Sequence, residues 1–401
     1  MNESHTYDVI VVGGGPSGAT AAHDLSLRGL SVLLLDRAGR TKPCGGAIPP
    51  RLIKDFDIPE HLLVARARCA RMISPSDQRV DIQIEGGFVG MVDRDQFDEW
   101  LRERAAAAGA VRRRGRFSRL SRDDDGVSVV HFETEARSSS ERTVASMARA
   151  RCVIGADGAR SEVARQSVPG AERTSYVFAY HEIVARPANP PEGYDPTRCD
   201  VVYRGTLSPD FYGWVFPHGN TLSIGTGSAD KGFSLRTAVS ALREASGLKD
   251  ATTLRREGAP IPMKPLPRWD NGRDVVLAGD AAGVVAPASG EGIYYAMLGG
   301  RLAADAAAEF LQTGKASALA GARKRFMRLH GKVFWVLGMM QRFWYCSDKR
   351  RERFVSICRD KDVQTLTFDA YMNKELVRKR PMAHVRIFLK DMAHLLGLAR
   401  V

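Results

Sequence analysis

The chain has 401 residues, of which 44% are hydrophobic and 26% are charged, a composition typical of a globular protein long enough for two domains. Its six cysteines form no C-x-x-C pair, so we expect reduced thiols in a cytoplasmic setting and predict no metal site. No apolar run reaches the roughly 18 residues that a membrane-spanning helix needs. The first strand begins by Tyr7, and we therefore expect no export or transit signal.

The net charge of +13 is concentrated at one end of the chain. Residues 311–401 hold 20 Lys and Arg against 7 Asp and Glu, whereas the rest of the chain is neutral overall. This asymmetry predicts a local surface for an anionic partner rather than a device for general solubility. No nucleic-acid-binding motif accompanies the charge, so we do not expect nucleic acid to be that partner.

Residues 7–37 predict a strand, a glycine turn, a helix and a second strand. The apolar run at residues 9–12 is typical of a buried parallel strand. Gly13, Gly15 and Gly18 then have the G-x-G-x-x-G spacing of a dinucleotide-binding turn. The first glycine permits the tight turn, the second allows backbone to approach a pyrophosphate, and the third lets the helix pack on the strand.

The helix after this turn is predicted from Ser17 to about Arg28. Its N-terminus faces the phosphates, because unpaired N–H groups and the helix dipole favour negative charge there. Asp36 closes the second strand near the spacing expected for a carboxylate on a ribose diol. We include Pro16 and Arg37 among the predicted nucleotide contacts.

The next part of the chain predicts mixed structure. In chain order we predict a shaped loop at 37–46, a helix starting within 49–56, strands within 71–92, a helix from 93 and strands within 112–153. The helix from Asp93 has Phe97, Trp100 and Leu101 on one face. A solvated loop is predicted at 138–142.

The middle of the chain contains a second signature and a long β-type region. A predicted strand runs into the turn Asp157-Gly158, and a helix follows. The pattern of residues 176–227 predicts one antiparallel sheet. Gly225 and Gly227 lack a third glycine and a following helix, so no second nucleotide-binding unit is predicted.

The third signature is Gly279-Asp280, at the end of another predicted strand. Gly290 and Gly292 precede Ile293, where a long alanine-rich helix begins and runs to about Phe310. The remaining residues are predicted to be mostly helical.

These three signatures, in this order, make roughly the first 315 residues resemble the FAD-binding fold of the flavoprotein monooxygenases. The resemblance implies an α/β fold with a Rossmann-like FAD-binding domain of the glutathione-reductase or flavin-monooxygenase type, an antiparallel-sheet substrate domain and C-terminal helices. It implies FAD as the cofactor, with Asp280 on the ribityl chain and Arg94 reaching the cofactor. Asp36 stands where Glu is commoner, which shortens the reach to the ribose.

The resemblance also implies boundaries and contacts. The implied domains are an FAD-binding domain at 1–75, 93–172 and 270–315, a substrate-binding sheet domain at 76–92 and 173–269, and a basic helical segment at 316–401. The predicted cofactor-binding residues are Gly13, Gly15, Pro16, Ser17, Gly18, Asp36, Arg37, Cys44, Gly45, Gly46, Arg94, Asp157, Gly279, Asp280, Gly290, Gly292 and Ile293. Asp157 could equally be structural, shaping its own turn.

Within that fold the chain is similar to the geranylgeranyl reductases. Residues 42–46, Lys-Pro-Cys-Gly-Gly, match one loop of that family, and residues 209–217 match its P-x-x-Y-x-W-x-F-P motif. Residues 43–59 resemble in particular the bacterial enzymes that saturate the geranylgeranyl chain of chlorophyll or bacteriochlorophyll. The implied catalytic residues are Cys44, Tyr212 and Trp214, and the implied substrate-binding residues are Tyr212, Trp214, Phe216, Pro217 and His218.

Our hypothesis for saturation of an isolated alkene is hydride delivery from reduced flavin, with a proton arriving at the other carbon. Aromatic faces in a dry pocket would stabilise a polarised alkene, which gives Tyr212, Trp214 and Phe216 a role. Strand alternation places these three on one face and Phe211 on the other. Each aromatic could instead be sheet core, and Cys44 could be a small buried apolar group or a proton relay.

His218 could move protons, although a histidine on a surface turn is the simpler interpretation. The resemblance implies NADPH as the electron donor, visiting transiently because no second nucleotide-binding unit is predicted; reduced ferredoxin or another electron carrier stays open. The basic C-terminal segment, with its aromatics, predicts peripheral contact with the photosynthetic inner membrane, where a prenylated tetrapyrrole or a prenyl diphosphate would be met. The alternative to membrane contact is a helical cap whose aromatic residues pack onto the FAD-binding domain. The oligomeric state stays open.

Three other functions remain open. One is a flavin-dependent monooxygenase of an aromatic or polyprenyl substrate; a halogenase is disfavoured, because halogenases of this fold carry W-x-W-x-I-P where this chain has Tyr212-x-Trp214-x-Phe216-Pro217. Another is a reductase of archaeal-type lipids, free geranylgeranyl diphosphate or menaquinone chains. The third is a non-catalytic flavin-binding subunit of a membrane complex.

Overall fold

The structure is a computed structural model that describes residues 6–37, 42–84, 87–135 and 143–365, together with 372 and 374. The predicted loop at 138–142 lies outside these residues. The chain divides into two compact units, each assembled from three segments. The first unit comprises Met1–Lys42, Arg94–Tyr176 and Pro260–Phe334, and the second comprises Pro43–Asp93, Val177–Ala259 and Trp335–Val401.

The described residues contain helices and strands in nearly equal share along the chain. The helices are α1 Pro16–Ser26, α2 Pro50–Asp55, α3 Arg94–Ala107, α4 Glu162–Ser167, α5 Leu235–Ala245, α6 Ile293–Thr313, α7 Gly321–Trp344 and α8 Asp348–Ile357. The strands are β1 Thr6–Val12, β2 Val32–Asp36, β3 Ala47–Ile48, β4 Leu63–Ala67, β5 Cys69–Ile73, β6 Arg79–Gln83, β7 Val89–Val92, β8 Val111–Arg114, β9 Arg116–Arg122, β10 Ser128–Glu135, β11 Thr143–Gly155, β12 Tyr176–Ala185, β13 Arg198–Val202, β14 Gly213–His218, β15 Thr221–Ser228, β16 Thr253–Pro262 and β17 Val275–Leu277.

The first unit contains a seven-stranded sheet in the order β8-β2-β1-β11-β10-β9, with β17 paired to β11. Neighbouring strands from β8 to β11 are parallel, as are β11 and β17, whereas β9, β10 and β11 form antiparallel pairs. Residues 9–12 of β1 are at most 2% exposed, as expected for a central parallel strand. Helix α1 packs against both α3 and α6.

The strand–turn–helix–strand unit predicted for residues 7–37 is confirmed. Helix α1 ends at Ser26, two residues before the predicted end, and Gly29 follows with φ +76. This left-handed conformation favours glycine and ends the helix, as the sequence indicates. Asp36 is the last residue of β2.

The second unit contains a seven-stranded sheet in the order β16-β12-β15-β14-β13-β5-β6 and a three-stranded sheet in the order β3-β7-β4. The antiparallel sheet predicted over residues 176–227 is confirmed. The sheet also includes β5, which precedes that region in the chain and runs parallel to β13. Helix α5 packs on β15, and the Ser234 hydroxyl accepts a hydrogen bond from the Thr237 N–H as its N-cap.

The compact units divide the chain at different positions from the predicted domains. Residues 43–75 belong to the second unit, because β4 pairs with β7 and β5 pairs with β6 and β13. The basic segment predicted from 316 is shared between the units, with the division at Phe334 in α7. Its described part is helical in α7 and α8, as predicted.

All six cysteines are free thiols. Within the described ranges, no helix is both long enough and apolar enough to cross a bilayer. The same ranges hold no cluster of His, Cys, Asp and Glu side chains arranged to bind a metal ion.

Asp274 precedes β17, and its buried carboxylate links this part of the chain to β9 and β10. It accepts hydrogen bonds from Arg122 at 2.5 and 2.9 Å, from the Ser128 hydroxyl at 2.9 Å and from the Asn271 amide at 3.1 Å. Burial alone would raise the pKa of Asp274, but these hydrogen bonds outweigh it and hold the pKa below its ordinary value.

We expect Asp274→Asn to lower the free energy of unfolding by about 1–3 kcal/mol at neutral pH, because a charge-assisted network is lost. Since the folded pKa lies below the unfolded value of about 3.9, the carboxylate contributes fully above that pH and its contribution disappears as the pH falls through the folded pKa. Urea unfolding at pH 7 and in acid measures the difference, with Asp124→Asn at an exposed position as the control. A difference that does not narrow in acid would contradict the prediction.

Candidate active site

The glycine turn between β1 and α1 is shaped by close backbone approaches. Gly13 has φ +107, and a Cβ atom there would lie 2.3 Å from the carbonyl oxygen of Ala156. A Cβ atom on Gly18 would lie 1.8 Å from the carbonyl oxygen of Gly13. A Cβ atom on Gly15, by contrast, would meet nothing within 4 Å. The turn therefore has an open face at Gly15, where a ligand could approach the backbone.

The N-terminus of α1 presents unused donors at this open face. Gly15 is the N-cap residue and provides no side-chain hydrogen bond, and Pro16 occupies the first turn. The Ser17 hydroxyl is buried and has no hydrogen-bond partner among the described residues. Backbone N–H groups, the helix dipole and this hydroxyl together fit the pyrophosphate of the FAD that the sequence implies.

Asp36 lies beside the same turn. Its carboxylate accepts a hydrogen bond from the Gly14 N–H at 3.3 Å and lies 3.4 Å from the Arg102 guanidinium. Arg102 also donates to the carbonyl oxygen of Gly14 at 3.2 Å. A carboxylate at the end of β2 fits a ribose diol, whereas the neighbouring Arg37 is exposed. Arg102 was not predicted from the sequence, because its partners Asp36 and Gly14 are distant along the chain.

Arg94 begins α3 and is 7% exposed. Two of its nitrogens donate to the two carboxylate oxygens of Asp98, each at 2.8 Å. The fork geometry fixes the guanidinium plane. Contact between Arg94 and the cofactor stays a prediction.

Asp157 has a clear structural role. Its carboxylate accepts hydrogen bonds from the Ser161 hydroxyl and from the N–H groups of Glu162 at 2.7 Å and Val163 at 3.2 Å. Burial nevertheless raises the pKa of Asp157. The carboxylate therefore holds the first turn of α4, which supports the structural alternative, and its contact with a cofactor stays a prediction.

The third signature forms a short 3-10 turn over Gly279–Ala282. Asp280 forms an ion pair with Lys42, and both belong to the first unit. The Glu291 carboxylate accepts a hydrogen bond from the Tyr294 N–H at 3.0 Å in the first turn of α6. A carboxylate suits a polyol chain, because it accepts hydrogen bonds from hydroxyl groups. A helix N-terminus suits a ring that carries partial negative charge.

The glycines of this segment have different conformations. Gly279 and Gly290 have φ +63 and +65, so both need the freedom of glycine, while Gly292 is the N-cap of α6 and Ile293 is its first, buried residue. The fit to FAD thus extends from the glycine turn to the start of α6 within one unit.

In the second unit, the Cys44 loop lies against β14. A Cβ atom on Gly45 would lie 3.2 Å from the Phe216 ring. Gly46 has φ +70, and a Cβ atom there would lie 2.6 Å from Nε2 of His218. The Gly46 carbonyl accepts a hydrogen bond from the Val92 N–H at 2.9 Å. The Cys44 loop therefore packs on the strand that carries the aromatic motif.

We call Tyr212, Trp214 and Phe216 the aromatic wall. The ring centroids of Tyr212 and Trp214 are 6.1 Å apart, and those of Trp214 and Phe216 are 6.3 Å apart. Trp214 is 6% exposed, and Tyr212 and Phe216 are half-buried. Burial raises the pKa of Tyr212, which keeps its hydroxyl protonated at physiological pH.

Two predictions about this motif are wrong. Phe211 was expected on the opposite strand face, but β14 begins only at Gly213, and the Phe211 ring stacks on Tyr212 at 4.2 Å. His218 was expected on a surface turn, but it is only 9% exposed. Burial lowers the pKa of His218, so its ring is neutral near pH 7. Pro217, the residue before His218, is also buried in β14.

The turn that precedes the aromatic wall is held by hydrogen bonds from the C-terminal helices. These hydrogen bonds were not predicted from the sequence. Arg351 of α8 is 2% exposed and donates to the carbonyl oxygens of Ser208, at 3.1 Å, and of Pro209. The Gln341 amide donates to the carbonyl oxygen of Asp210 at 3.2 Å. No local signal in the sequence links residues so far apart.

Known proteins resemble this chain over nearly its whole length. Residues 8–367 match the family described as lycopene cyclase protein. The chain is 58% identical over 392 residues to a geranylgeranyl diphosphate reductase of Rhodobacter capsulatus, with 98% of both chains covered. It is 35% identical to a chloroplastic geranylgeranyl diphosphate reductase of Oryza sativa subsp. japonica, with 96% of this chain and 86% of the relative covered.

Solved structures support the fold. A geranylgeranyl bacteriochlorophyll reductase-like protein of Thermoplasma acidophilum has a TM-score of 0.77 at 24% identity, with 94% of this chain and 99% of that chain covered. A flavin-dependent brominase has a TM-score of 0.73 at 16% identity, with 97% and 100% covered. The chain therefore has the α/β fold class of these two proteins.

The sequence relatives refine that class. The chain belongs to the lycopene cyclase protein family and, within it, to the geranylgeranyl reductases. The family and the fold class predicted from the sequence are both confirmed.

A pair of glycine variants separates the fold of the turn from its use. We expect Gly15→Ala to leave the thermal unfolding of the flavin-free protein unchanged but to weaken flavin retention, because the added methyl group enters only the open face. Gly18→Ala should lower both the unfolding temperature of the flavin-free protein and its retention of flavin, since overpacking against a backbone carbonyl costs about 1–3 kcal/mol or more. Flavin absorbance after gel filtration and thermal unfolding of the flavin-free form measure the two effects. Full flavin retention by Gly15→Ala would contradict the assigned ligand face.

Proposed function

We propose that this protein reduces C=C bonds in a geranylgeranyl chain and yields the phytyl form. The proposed substrates are geranylgeranyl-bacteriochlorophyll, geranylgeranyl-chlorophyll or geranylgeranyl diphosphate, and NADPH is the proposed electron donor. The aromatic wall beside the Cys44 loop is the observation that carries the proposal. The names of the Rhodobacter and rice relatives support a geranylgeranyl substrate.

The wall suits an alkene that no carbonyl group polarises. Reduced FAD supplies the two electrons that saturation requires. The electron-rich faces of Tyr212, Trp214 and Phe216 stabilise positive charge that develops on the alkene, and the burial of Trp214 keeps water from that ring. We assign Tyr212, Trp214 and Cys44 as catalytic residues on this basis, and Phe216 and His218 as substrate contacts.

The proton can come from groups at the wall. Burial raises the pKa of Tyr212, so its hydroxyl is a weaker acid than an ordinary phenol and is the less suitable donor of the proton. Cys44 is half-buried, and its sulfur accepts a hydrogen bond from the Gly46 N–H at 3.4 Å. His218 is neutral, so one ring nitrogen can accept a proton while the other donates one.

We assign the resident FAD to the glycine turn, Asp36 and Asp280 of the first unit. Gly225 and Gly227 lie inside β15 and form no second glycine turn. A nicotinamide donor therefore has no glycine turn there to occupy, which supports a transient visit by NADPH.

We further propose peripheral contact with the cytoplasmic side of the photosynthetic inner membrane, where a prenylated pigment resides. Trp335 and Met339 of α7 are 68% and 50% exposed, and Arg342 is exposed one turn beyond. Their spacing places the three on one helix face. An aromatic, an apolar side chain and a cation on one face suit the interface of an anionic bilayer.

The activity test uses the FAD-loaded protein under anaerobic conditions with NADPH and either geranylgeranyl-bacteriochlorophyll or geranylgeranyl diphosphate. Product masses should show stepwise addition of hydrogen pairs. We expect Tyr212→Phe and Trp214→Ala to lower turnover at least about tenfold, which corresponds to a loss of ~1.4 kcal/mol of transition-state stabilisation.

Trp100→Phe is the matched control, since Trp100 lies on α3 against Arg104. Normal turnover in both wall variants would overturn the assigned roles. NADPH-driven peroxide release stimulated by an aromatic acid, without saturated product, would support a monooxygenase instead. A flavin that no donor reduces would support a non-catalytic subunit.

Membrane contact is tested with vesicles of anionic or neutral lipid. We expect the wild-type protein to bind anionic vesicles in low salt, and the double variant Trp335→Ala and Met339→Ser to bind about tenfold more weakly, or ~1.4 kcal/mol. Leu254→Ala is the control, because Leu254 is 54% exposed on β16. Equal binding by the double variant, or binding that high salt does not weaken, would contradict the proposal.

A further inference from the structure

The indole of Trp214 lies across a glycine on the neighbouring strand. Gly225 of β15 is in register with Trp214 of β14 on one side and with His181 of β12 on the other. A Cβ atom on Gly225 would lie 2.2 Å from Cζ2 of the indole and 2.6 Å from Cβ of His181. The glycine thus provides the space in which the two rings meet, with their centroids 6.3 Å apart.

A chain of hydrogen bonds leads from this indole toward solvent. The Trp214 Nε1–H donates to the Ser223 hydroxyl at 3.1 Å, and this hydroxyl lies 3.0 Å from Nδ1 of His181. The other ring nitrogen, Nε2, lies 3.0 Å from a carboxylate oxygen of Glu257. Ser223 and His181 are 0% and 3% exposed, whereas the Glu257 side chain is 26% exposed.

The chemistry of the four groups gives the chain one direction. The Glu257 carboxylate can only accept, so Nε2 of His181 carries a proton. In a neutral ring Nδ1 then accepts, and the Ser223 hydroxyl donates to it. The same hydroxyl oxygen accepts from the indole, so every donor has one acceptor and the indole plane is fixed.

We propose that Glu257, His181 and Ser223 are positioning residues that hold the Trp214 face of the aromatic wall in one orientation. The inference rests on the proposed function, in which this face meets the alkene. A single acceptor would satisfy the indole N–H. The additional histidine and carboxylate fix the direction of the serine hydroxyl and increase electron density on the indole, which strengthens its attraction for positive charge.

The test follows the indole and the product together in the full-length, FAD-loaded protein. With 15N-labelled indoles, Trp214→Phe identifies the Trp214 signal. We expect Ser223→Ala to move that signal most, His181→Leu less and Glu257→Gln least, with the other indole signals unchanged. The ratio of partially to fully saturated product should rise about three- to tenfold in Ser223→Ala, the range of one lost hydrogen bond, and Ser223→Thr should restore it.

Ser121→Ala is the matched control, because the Ser121 hydroxyl lies 2.7 Å from Nε2 of His131 on the sheet of the first unit. A signal that moves without any change in products, or products that change equally in Ser121→Ala, would overturn the proposal. If Ser223→Ala does not fold, Ser223→Thr and Glu257→Gln are compared instead. A wild-type protein that reduces no prenyl substrate would refute the proposed function, and an unmoved indole signal would then separately refute the positioning chain.

Discussion

The first unit depends on backbone segments that approach each other more closely than any side chain would permit. Gly18 meets the carbonyl of Gly13, and a Cβ atom on Gly300 of α6 would lie 2.1 Å from the carbonyl oxygen of Ser17. A Cβ atom on Gly279 would lie 2.7 Å from the Ser17 side chain. The start of α1 is therefore held by β1, by the turn before α6 and by α6 itself. This rigid placement aims the uncapped N–H groups at one point in space.

The second unit also depends on glycines that permit close approach, but there they bring a loop and an aromatic ring against the sheet. Gly45 and Gly46 let the Cys44 loop lie on β14, and Gly225 lets the indole of Trp214 lie close against β15. Large aromatic rings on a sheet normally stand away from it and pack against a second layer. Here part of the space for the ring is provided from within the sheet, because Gly225 has no side chain.

The parts predicted from sequence share one property, which is that their signals are local. The glycine turn, Asp36 at the end of β2 and the helix from Ile293 each follow from a few adjacent residues. The parallel pairing of β5 with β13 could not be predicted, because it joins segments more than a hundred residues apart. Arg102, Arg351 and the Glu257–His181–Ser223 chain were missed for the same reason, since each acquires its role only from distant partners.

The burial of Arg351 has a consequence for how the protein is made. The carbonyl of Ser208 receives its donor from a residue 143 positions later in the chain. A ribosome must therefore synthesise nearly the whole chain before the turn ahead of the aromatic wall can be completed. The sheet of the second unit can pair earlier, but the turn ahead of the wall waits for α8. During synthesis the nascent chain thus carries its aromatic residues for a time without the Arg351 hydrogen bonds that hold this turn.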